Sequence, residues 1–261
     1  MKRERKLILT NPATGETFRE FSYHTIEESI SKIKTAEKEQ GNWKQTSVSH
    51  RIAIIQDAMD YFRDNTDLIA KDITLQMGKP ISQSESEIKS MLHRADIMCS
   101  LAEDALSETF LQKIDGYNRF IHREPLGVVF NIAAWNYPLL IAVNIVIPAI
   151  LAGNTVIIKH SSMTPVCASH FEDAFTSARA PAGLVSSLIL DHKTTENIIQ
   201  RGLIHHVSFT GSVNGGRKIN QCAKNQFIDV NLELGGKDPA YIRNDSDLES
   251  SIPSIMDGVF Y

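Results

Sequence analysis

The chain has 261 residues, a length that suits one large domain or two modest ones and can bury a full-sized core. It carries 27 basic and 31 acidic residues, and this net charge of -4 argues against a nucleic-acid-binding protein, since such proteins display an excess of lysine and arginine. A composition of 42% hydrophobic and 22% charged residues excludes a disordered or collagen-like chain.

The three cysteines, Cys99, Cys167 and Cys222, lie far apart and match neither a disulfide framework nor the spacing of metal ligands. We therefore expect a reduced, cytoplasmic protein without a metal site. The charged N-terminus is followed by only three apolar residues, 7–9, which are too few for a signal peptide.

The first third of the chain is predicted to be helical. Thr25 and Glu28 have the spacing of a capping box, and Ile26, Ile30 and Ile33 follow at helical intervals. Three further helices are predicted over residues 51–62, 66–77 and 82–106.

An Asp-Gly turn signal at residues 115–116 separates two extended segments, 110–114 and 117–123. We expect a β-hairpin over residues 110–124.

Strands and helices then alternate. The predicted strands are 127–133, 155–159, 185–190, 206–210 and 228–234, and the predicted helices are 139–152, 166–180, 194–201 and 216–224. Continuous apolar strands alternating with helices predict an α/β fold with a doubly wound parallel sheet. Residues 139–158 are long enough to cross a bilayer, but Pro148 and the Gly153-Asn154 break favour a buried helix followed by a buried strand, so we expect no membrane contact.

Ligands of such sheets bind beyond the carboxyl ends of the strands. Asn136 follows the first of these strands, where its amide can donate to an oxyanion or serve as the N-cap of the next helix, with Pro138 in the first turn. Lys159 ends the second strand and suits a ribose or a phosphate, although a lysine at a strand end can also simply extend to water. The local sequence leaves both pairs of interpretations open.

Two further segments follow strands. Glycines at 211 and 216 would let the backbone approach a pyrophosphate at a helix N-terminus, although an ordinary strand-to-helix loop has the same composition. Glu233 stands at a strand end before two glycines, where a carboxylate can activate water, and it is equally the third polar residue of an alternating, half-buried strand. The three cysteines fall inside predicted helices and are typical of buried hydrophobic residues.

Six motifs, in this order, resemble the aldehyde dehydrogenase superfamily. The motifs are Asn11-Pro-Ala-Thr-Gly-Glu16, Met77-Gly-Lys-Pro80, Glu124-Pro-Leu-Gly-Val-Val129, Trp135-Asn-Tyr-Pro138, Phe209-Thr-Gly-Ser212 and Leu232-Glu-Leu-Gly-Gly-Lys237. Each motif alone is modest, but the ordered set is specific and covers essentially the whole chain. The run from Lys159 to Ser162 is also similar to the succinate-semialdehyde dehydrogenase branch.

The resemblance implies a Rossmann-like domain and the NAD(P)-dependent oxidation of an aldehyde to a carboxylic acid. A cysteine thiolate attacks the carbonyl, a hydride leaves to the nicotinamide, and water cleaves the thioester. Asn136 matches the oxyanion-hole asparagine, Glu233 matches the general base, and Lys159 matches the lysine on the adenosine ribose. The cofactor-binding positions that the resemblance implies are Ile132, Ala133, Trp135, Lys159, Ser162, Phe209, Gly211, Ser212, Gly216, Glu233, Leu234 and Gly235.

The resemblance also implies a homo-oligomer assembled through the hairpin. Ser162 stands where NAD-preferring members carry a glutamate that would repel a 2′-phosphate, so we expect NADP to be tolerated or preferred.

The family's nucleophilic cysteine lies a few residues beyond the segment that ends here at Tyr261, and none of the three cysteines present can replace it. We expect residues 1–261 to be a cofactor-binding half without the catalytic-cysteine domain. Three roles stay open: an enzyme half complemented by a C-terminal half, an inactive dinucleotide-binding chain, or an oligomer partner.

Overall fold

The computed structural model describes residues 6–260. Its strands are β1 (Lys6–Thr10), β2 (Thr17–Ser22), β3 (Thr109–Phe110), β4 (Phe120–Ile121), β5 (Val128–Ala133), β6 (Thr155–His160), β7 (Val185–Ser187), β8 (His206–Gly211) and β9 (Asp229–Leu234). Its helices are α1 (Ile26–Trp43), α2 (Val48–Asp64), α3 (Thr66–Met77), α4 (Ile81–Leu106), α5 (Pro138–Leu151), α6 (Pro165–Ser177), α7 (His192–Gln200), α8 (Val213–Ala223) and α9 (Leu248–Phe260).

The strands β5 to β9 form one parallel sheet in the order β7-β6-β5-β8-β9. The chain runs outward from β5 through β6 to β7, and it then returns to place β8 on the other side of β5. This reversal is the topological switch point at which open α/β sheets bind ligands. The strands β5 and β6 are buried throughout, as expected for apolar strands that are covered on both faces. The predicted doubly wound α/β fold is confirmed.

Alternate residues of β5 face two separate cores. Val129 and Ala133 pack with side chains of α2 to α6, whereas Val128, Phe130 and Ile132 pack with side chains of α1, α7 and α8. The apolar α5 lies in the first core, so residues 139–158 are a buried helix followed by a buried strand, as predicted. None of the helices within residues 6–260 is long and apolar enough to cross a membrane.

The capping box of α1 is present as predicted. The Thr25 hydroxyl accepts from the Glu28 N–H at 3.1 Å, and the Thr25 N–H donates to the Glu28 carboxylate at 2.8 Å. Helix α3 matches its prediction at both ends and stops at Gly78, whose left-handed φ of 81° suits a residue without a side chain.

The expectation that the first third is entirely helical is wrong, because β1 and β2 form an antiparallel ribbon before α1. Leu7 and Leu9 alternate onto one face of the ribbon and pack against Val166 of α6. A two-stranded ribbon is marginal by itself. It is this contact with a helix about 160 residues later that stabilises the ribbon, and local sequence patterns do not report such a contact.

Three predicted segments are shorter in the structure. The hairpin exists and turns at Asp115-Gly116, but β3 and β4 have two residues each and lie on an exposed arm. Helix α6 ends at Ser177 because Arg179 adopts a left-handed φ of 55° and the Ala180 N–H bonds to the Phe175 carbonyl. The edge strand β7 ends at Ser187, and the chain then turns into α7.

Candidate active site

A cleft of about 980 Å³ lies at the carboxyl ends of β5, β6, β8 and β9. It brings together most of the predicted site residues. Those that line it are Ile132, Ala133, Trp135, Asn136, Lys159, Phe209, Gly211, Ser212, Glu233, Leu234 and Gly235. Two predicted residues do not line the cleft: Ser162 lies on the exposed turn after β6, one residue beyond the lining residue Ser161, and Gly216 is buried within α8.

The predicted loop over 211–216 is instead a strand end followed by the first turn of a helix. Helix α8 begins at Val213, three residues earlier than predicted, because the Ser212 hydroxyl accepts from the Gly215 N–H at 3.1 Å and caps the helix. A Cβ on Gly216 would lie 2.6 Å from a methyl carbon of Leu234. Gly216 therefore permits close packing of α8 on β9, and it does not line the cleft.

The ring of Phe209 fits between two glycines at the start of α8. A Cβ built on either Gly211 or Gly215 would lie 2.6 Å from Phe209 Cζ. The absence of a Cβ on these glycines makes room for the Phe209 ring beside the helix N-terminus. The first amides of a helix lack intrahelical acceptors, and the helix dipole adds positive potential there, so this end of the cleft suits an anionic group.

Lys159 supplies a second cationic feature. It is the fifth of six buried residues in β6, and burial lowers the pKa of its ammonium to about 8, while the nearby Asp191 carboxylate acts in the opposite direction. Asp191 itself caps α7 by accepting from the Thr194 N–H at 2.8 Å. Burial also lowers the pKa of the adjacent His160 to about 3, so this imidazole is neutral at physiological pH.

Asn136 is exposed and lines the cleft between β5 and α5. The interpretation of Asn136 as the N-cap of that helix is wrong, because α5 begins at Pro138 with Tyr137 in the cap position and no capping bond from a Tyr137 side chain. The first α5 amides, those of Leu139 and Leu140, are accepted by the carboxylate of Glu87. The Asn136 amide is thus not used as a cap.

Glu233 fits both interpretations that the sequence left open, a polar residue of an alternating, half-buried strand and a carboxylate at the edge of the cleft. Asp229, Asn231 and Glu233 are exposed on one face of β9, whereas Val230 and Leu232 are half-buried on the other. Glu233 also lines the cleft next to Leu234 and the two glycines that follow.

Helices α7 and α8 provide a wall of the cleft that the sequence patterns did not predict. Its lining residues include His192, Thr195 and Glu196 of α7, and Lys218 of α8. The available signal was topological, since the helix after every parallel strand begins at the same edge of the sheet. The composition of these helices carries no such signal, because polar residues there are also typical of an exposed helix face.

None of the three cysteines lines the cleft. All are buried, and burial raises the pKa of each thiol, that of Cys99 to about 11. All three lie inside helices as predicted, Cys99 in α4, Cys167 in α6 and Cys222 at the second-last residue of α8. A neutral thiol is a poor nucleophile, and none of the three suits that role.

The family model described as the aldehyde dehydrogenase family matches residues 1–261. The chain belongs to the aldehyde dehydrogenase family. An NADP(+) succinate-semialdehyde dehydrogenase of Deinococcus radiodurans is 31% identical over 98% of this chain and 53% of its own length. A betaine aldehyde dehydrogenase of Agrobacterium fabrum is 34% identical over 96% of this chain and 51% of its own length.

Solved structures of the aldehyde dehydrogenase family share the fold. A succinic semialdehyde dehydrogenase from Streptococcus pyogenes in complex with NADP+ superposes with a TM-score of 0.87 at 26% identity, covering 93% of this chain and 53% of the other. The chain thus spans about half the length of the relatives it matches.

Proposed function

We propose that residues 1–261 form the NAD(P)-binding half of an aldehyde dehydrogenase. The observation that carries this proposal is that Asn136, Lys159, Ser212 and Glu233 line one cleft at the sheet switch point. The substrate class is an aldehyde, with a semialdehyde as one candidate.

The cleft fits a dinucleotide in volume and in charge. Pockets for small ligands commonly measure about 300–1,000 Å³, and this cleft has about 980 Å³. The α8 N-terminus, where Gly211, Ser212 and Gly215 line the cleft, would hold the pyrophosphate, and Lys159 would hold the adenosine ribose and its phosphate. When bound, the dinucleotide supplies the acceptor for the hydride that the aldehyde loses.

Two residues then take part in the reaction at the aldehyde group. The Asn136 amide donates to the oxyanion that forms when the carbonyl is attacked. The Glu233 carboxylate takes a proton from the water that cleaves the acyl intermediate. We assign the thiol nucleophile to a cysteine outside these 261 residues, because the three cysteines present are buried away from the cleft.

The hairpin arm supports a second role, that of an oligomer partner. Phe110 is 74% exposed and Tyr117 is 68% exposed. Apolar side chains so exposed on one arm are typical of an interaction surface. We propose that residues 110–124 contact other subunits in an oligomer of the kind that the family forms.

Ser162 supports acceptance of NADP. It lies one residue beyond Ser161, which lines the cleft, and it adds no negative charge there. Two unit charges at ~4 Å repel by about 4 kcal/mol at an effective dielectric near 20, and solvent at this exposed turn reduces that value. We expect Ser162→Glu to weaken NADP binding by about tenfold or more and to leave NAD binding within about twofold.

Calorimetric titration of both cofactors measures this change. Met163→Glu is the matched control, because it adds the same charge one residue further along the same exposed turn. An equal loss of NADP affinity in the two variants, or a parent chain that binds NAD more tightly than NADP, would contradict the preference.

The buried Lys159 predicts a pH-dependent affinity. An anionic cofactor favours the ammonium form, and with a pKa of about 8 this form is lost as the pH rises through that value. We expect NADP affinity to fall about tenfold between about pH 7 and about pH 9.5, since a hydrogen bond to a charged group contributes ~1.5–3 kcal/mol. Titrations across this range measure the effect.

Lys159→Met is expected to bind NADP weakly at every pH, with a flat profile over the same range. Lys224→Met, at an exposed lysine that does not line the cleft, serves as the control and should keep the parent profile. A pH dependence that persists in Lys159→Met would show that another group titrates.

A further inference from the structure

Helix α5 begins without a capping side chain of its own, although it carries the Asn136 segment. Tyr137 occupies the cap position and forms no side-chain capping bond, and Pro138 has no N–H. The N–H groups of Leu139 and Leu140 therefore require an acceptor from another part of the chain.

Glu87 of α4 provides that acceptor. One carboxylate oxygen accepts from the Leu139 N–H at 2.8 Å and from the Leu140 N–H at 3.2 Å. Glu87 is only 3% exposed, so these bonds form in the interior. A carboxylate at a helix N-terminus also interacts favourably with the helix dipole.

Lys79 completes the arrangement from the corner between α3 and α4. Its ammonium pairs with the other Glu87 oxygen at 2.5 Å, and it lies 3.9 Å from the centre of the Tyr137 ring. Lys79 is 7% exposed, so each charge of the pair depends on the other for its neutralisation. Lys79 thereby contacts Tyr137, the neighbour of Asn136, as well as the residue that caps α5.

We propose that Glu87, held by Lys79, is a positioning residue that fixes the Asn136 amide in the cleft. Glu87 holds the backbone of Leu139 and Leu140, on the C-terminal side of Asn136. Lys79 contacts the ring of Tyr137, the residue directly after Asn136. Glu87 does not line the cleft, so it acts only through the Tyr137–Leu140 backbone. The inference rests on the oxyanion role proposed for Asn136. It also gives a function to Lys79 of the Met77-Gly-Lys-Pro80 motif, which lies outside the cleft.

Two double variants of the full chain separate the capping bonds from the buried charges. Lys79→Met with Glu87→Gln removes both charges and keeps an amide oxygen that can accept from Leu139 and Leu140. Lys79→Met with Glu87→Leu removes the charges and the acceptor together. The two differ only in the group at position 87, so a comparison between them isolates the cap.

Two local measurements report on the segment. Amide hydrogen exchange of residues 135–141, relative to α6, gives the stability of the α5 start. Acrylamide quenching of tryptophan fluorescence gives the accessibility of Trp135, because the only other tryptophan, Trp43, is 1% exposed.

The two double variants are expected to differ in both measurements. With Glu87→Leu, exchange at Leu139 and Leu140 should accelerate about tenfold or more, and the quenching of Trp135 should change, because the acceptor is lost. With Glu87→Gln, both measurements should return to parent values.

Equal local exchange and quenching in the two double variants would overturn the proposal. If Glu87→Leu prevents folding, Glu87→Asp serves instead, because it keeps the charge but is one methylene too short to reach both Lys79 and the two amides. Parent-like exchange in a folded Glu87→Asp chain would also overturn it. An NADP titration of the parent chain tests the proposed function separately, since loss of cofactor binding there leaves the exchange results unaffected.

Discussion

Replacing Gly211 by alanine is expected to weaken NADP binding by roughly five- to a hundredfold. The new Cβ would lie 2.6 Å from Phe209 Cζ and 3.1 Å from Cε1, which is closer than packed carbon atoms approach. The half-buried ring lines the cleft and must move for the methyl group to fit. Extra atoms in a packed site cost ~1–3 kcal/mol, and this site adjoins the helix N-terminus proposed to hold the pyrophosphate.

Gly236→Ala is the matched control for this prediction. Gly236 also lines the cleft, and a Cβ built on it meets no atom within 4 Å. Calorimetric titration of both variants, with circular dichroism to show that each is folded, measures the difference. Parent-like affinity in Gly211→Ala would contradict the close fit of Phe209 against the α8 start.

Replacing Arg51 by methionine is expected to lower the free energy of unfolding by about 3–5 kcal/mol. Arg51 is buried, and its guanidinium donates to the carbonyl of Leu151 at the end of α5 at 2.8 Å. It also donates to the carbonyls of Lys44 and Thr46 after α1, at 3.0 and 2.9 Å. Its removal leaves the buried Leu151 carbonyl and the partly buried carbonyls of Lys44 and Thr46 without their Arg51 donor, and an unsatisfied buried group costs ~1–3 kcal/mol.

Arg63→Met provides the comparison within the same helix. Arg63 forms exposed ion pairs with Asp60 and with Asp96 of α4, and exposed pairs contribute about 0–1 kcal/mol each. Urea unfolding of the two variants and the parent measures both changes. An Arg51→Met chain no less stable than Arg63→Met would show that the carbonyl network does not hold α1 and α5 together.

The local sequence sufficed to predict an element wherever the residues of that element alone determine its structure. The bounds of α3 follow from a glycine in a left-handed cap, and the burial of β5 and β6 follows from their uninterrupted apolar sequences. The cleft was predictable for a related reason, since the parallel topology itself places the ends of β5, β6, β8 and β9 at one edge.

Long-range partners explain what sequence patterns missed. Glu87 meets Leu139 at a separation of 52 residues, and Arg51 meets Leu151 at a separation of 100. Neither polar side chain differs locally from an exposed residue of an amphipathic helix. Gly216 was assigned to the cleft because a glycine that packs against a neighbouring strand cannot be distinguished, in sequence, from a glycine that admits a ligand.

Calorimetric titration of the 261-residue chain with NADP and with NAD tests the central claim most directly. The control is a Lys159→Ala, Ser212→Ala double variant, which removes the buried ammonium and the α8 cap from the cleft while leaving the sheet intact. We predict saturable binding in the parent chain that is lost in the double variant. A folded parent chain that binds neither cofactor at millimolar concentration would contradict the assignment of the cleft as a dinucleotide site.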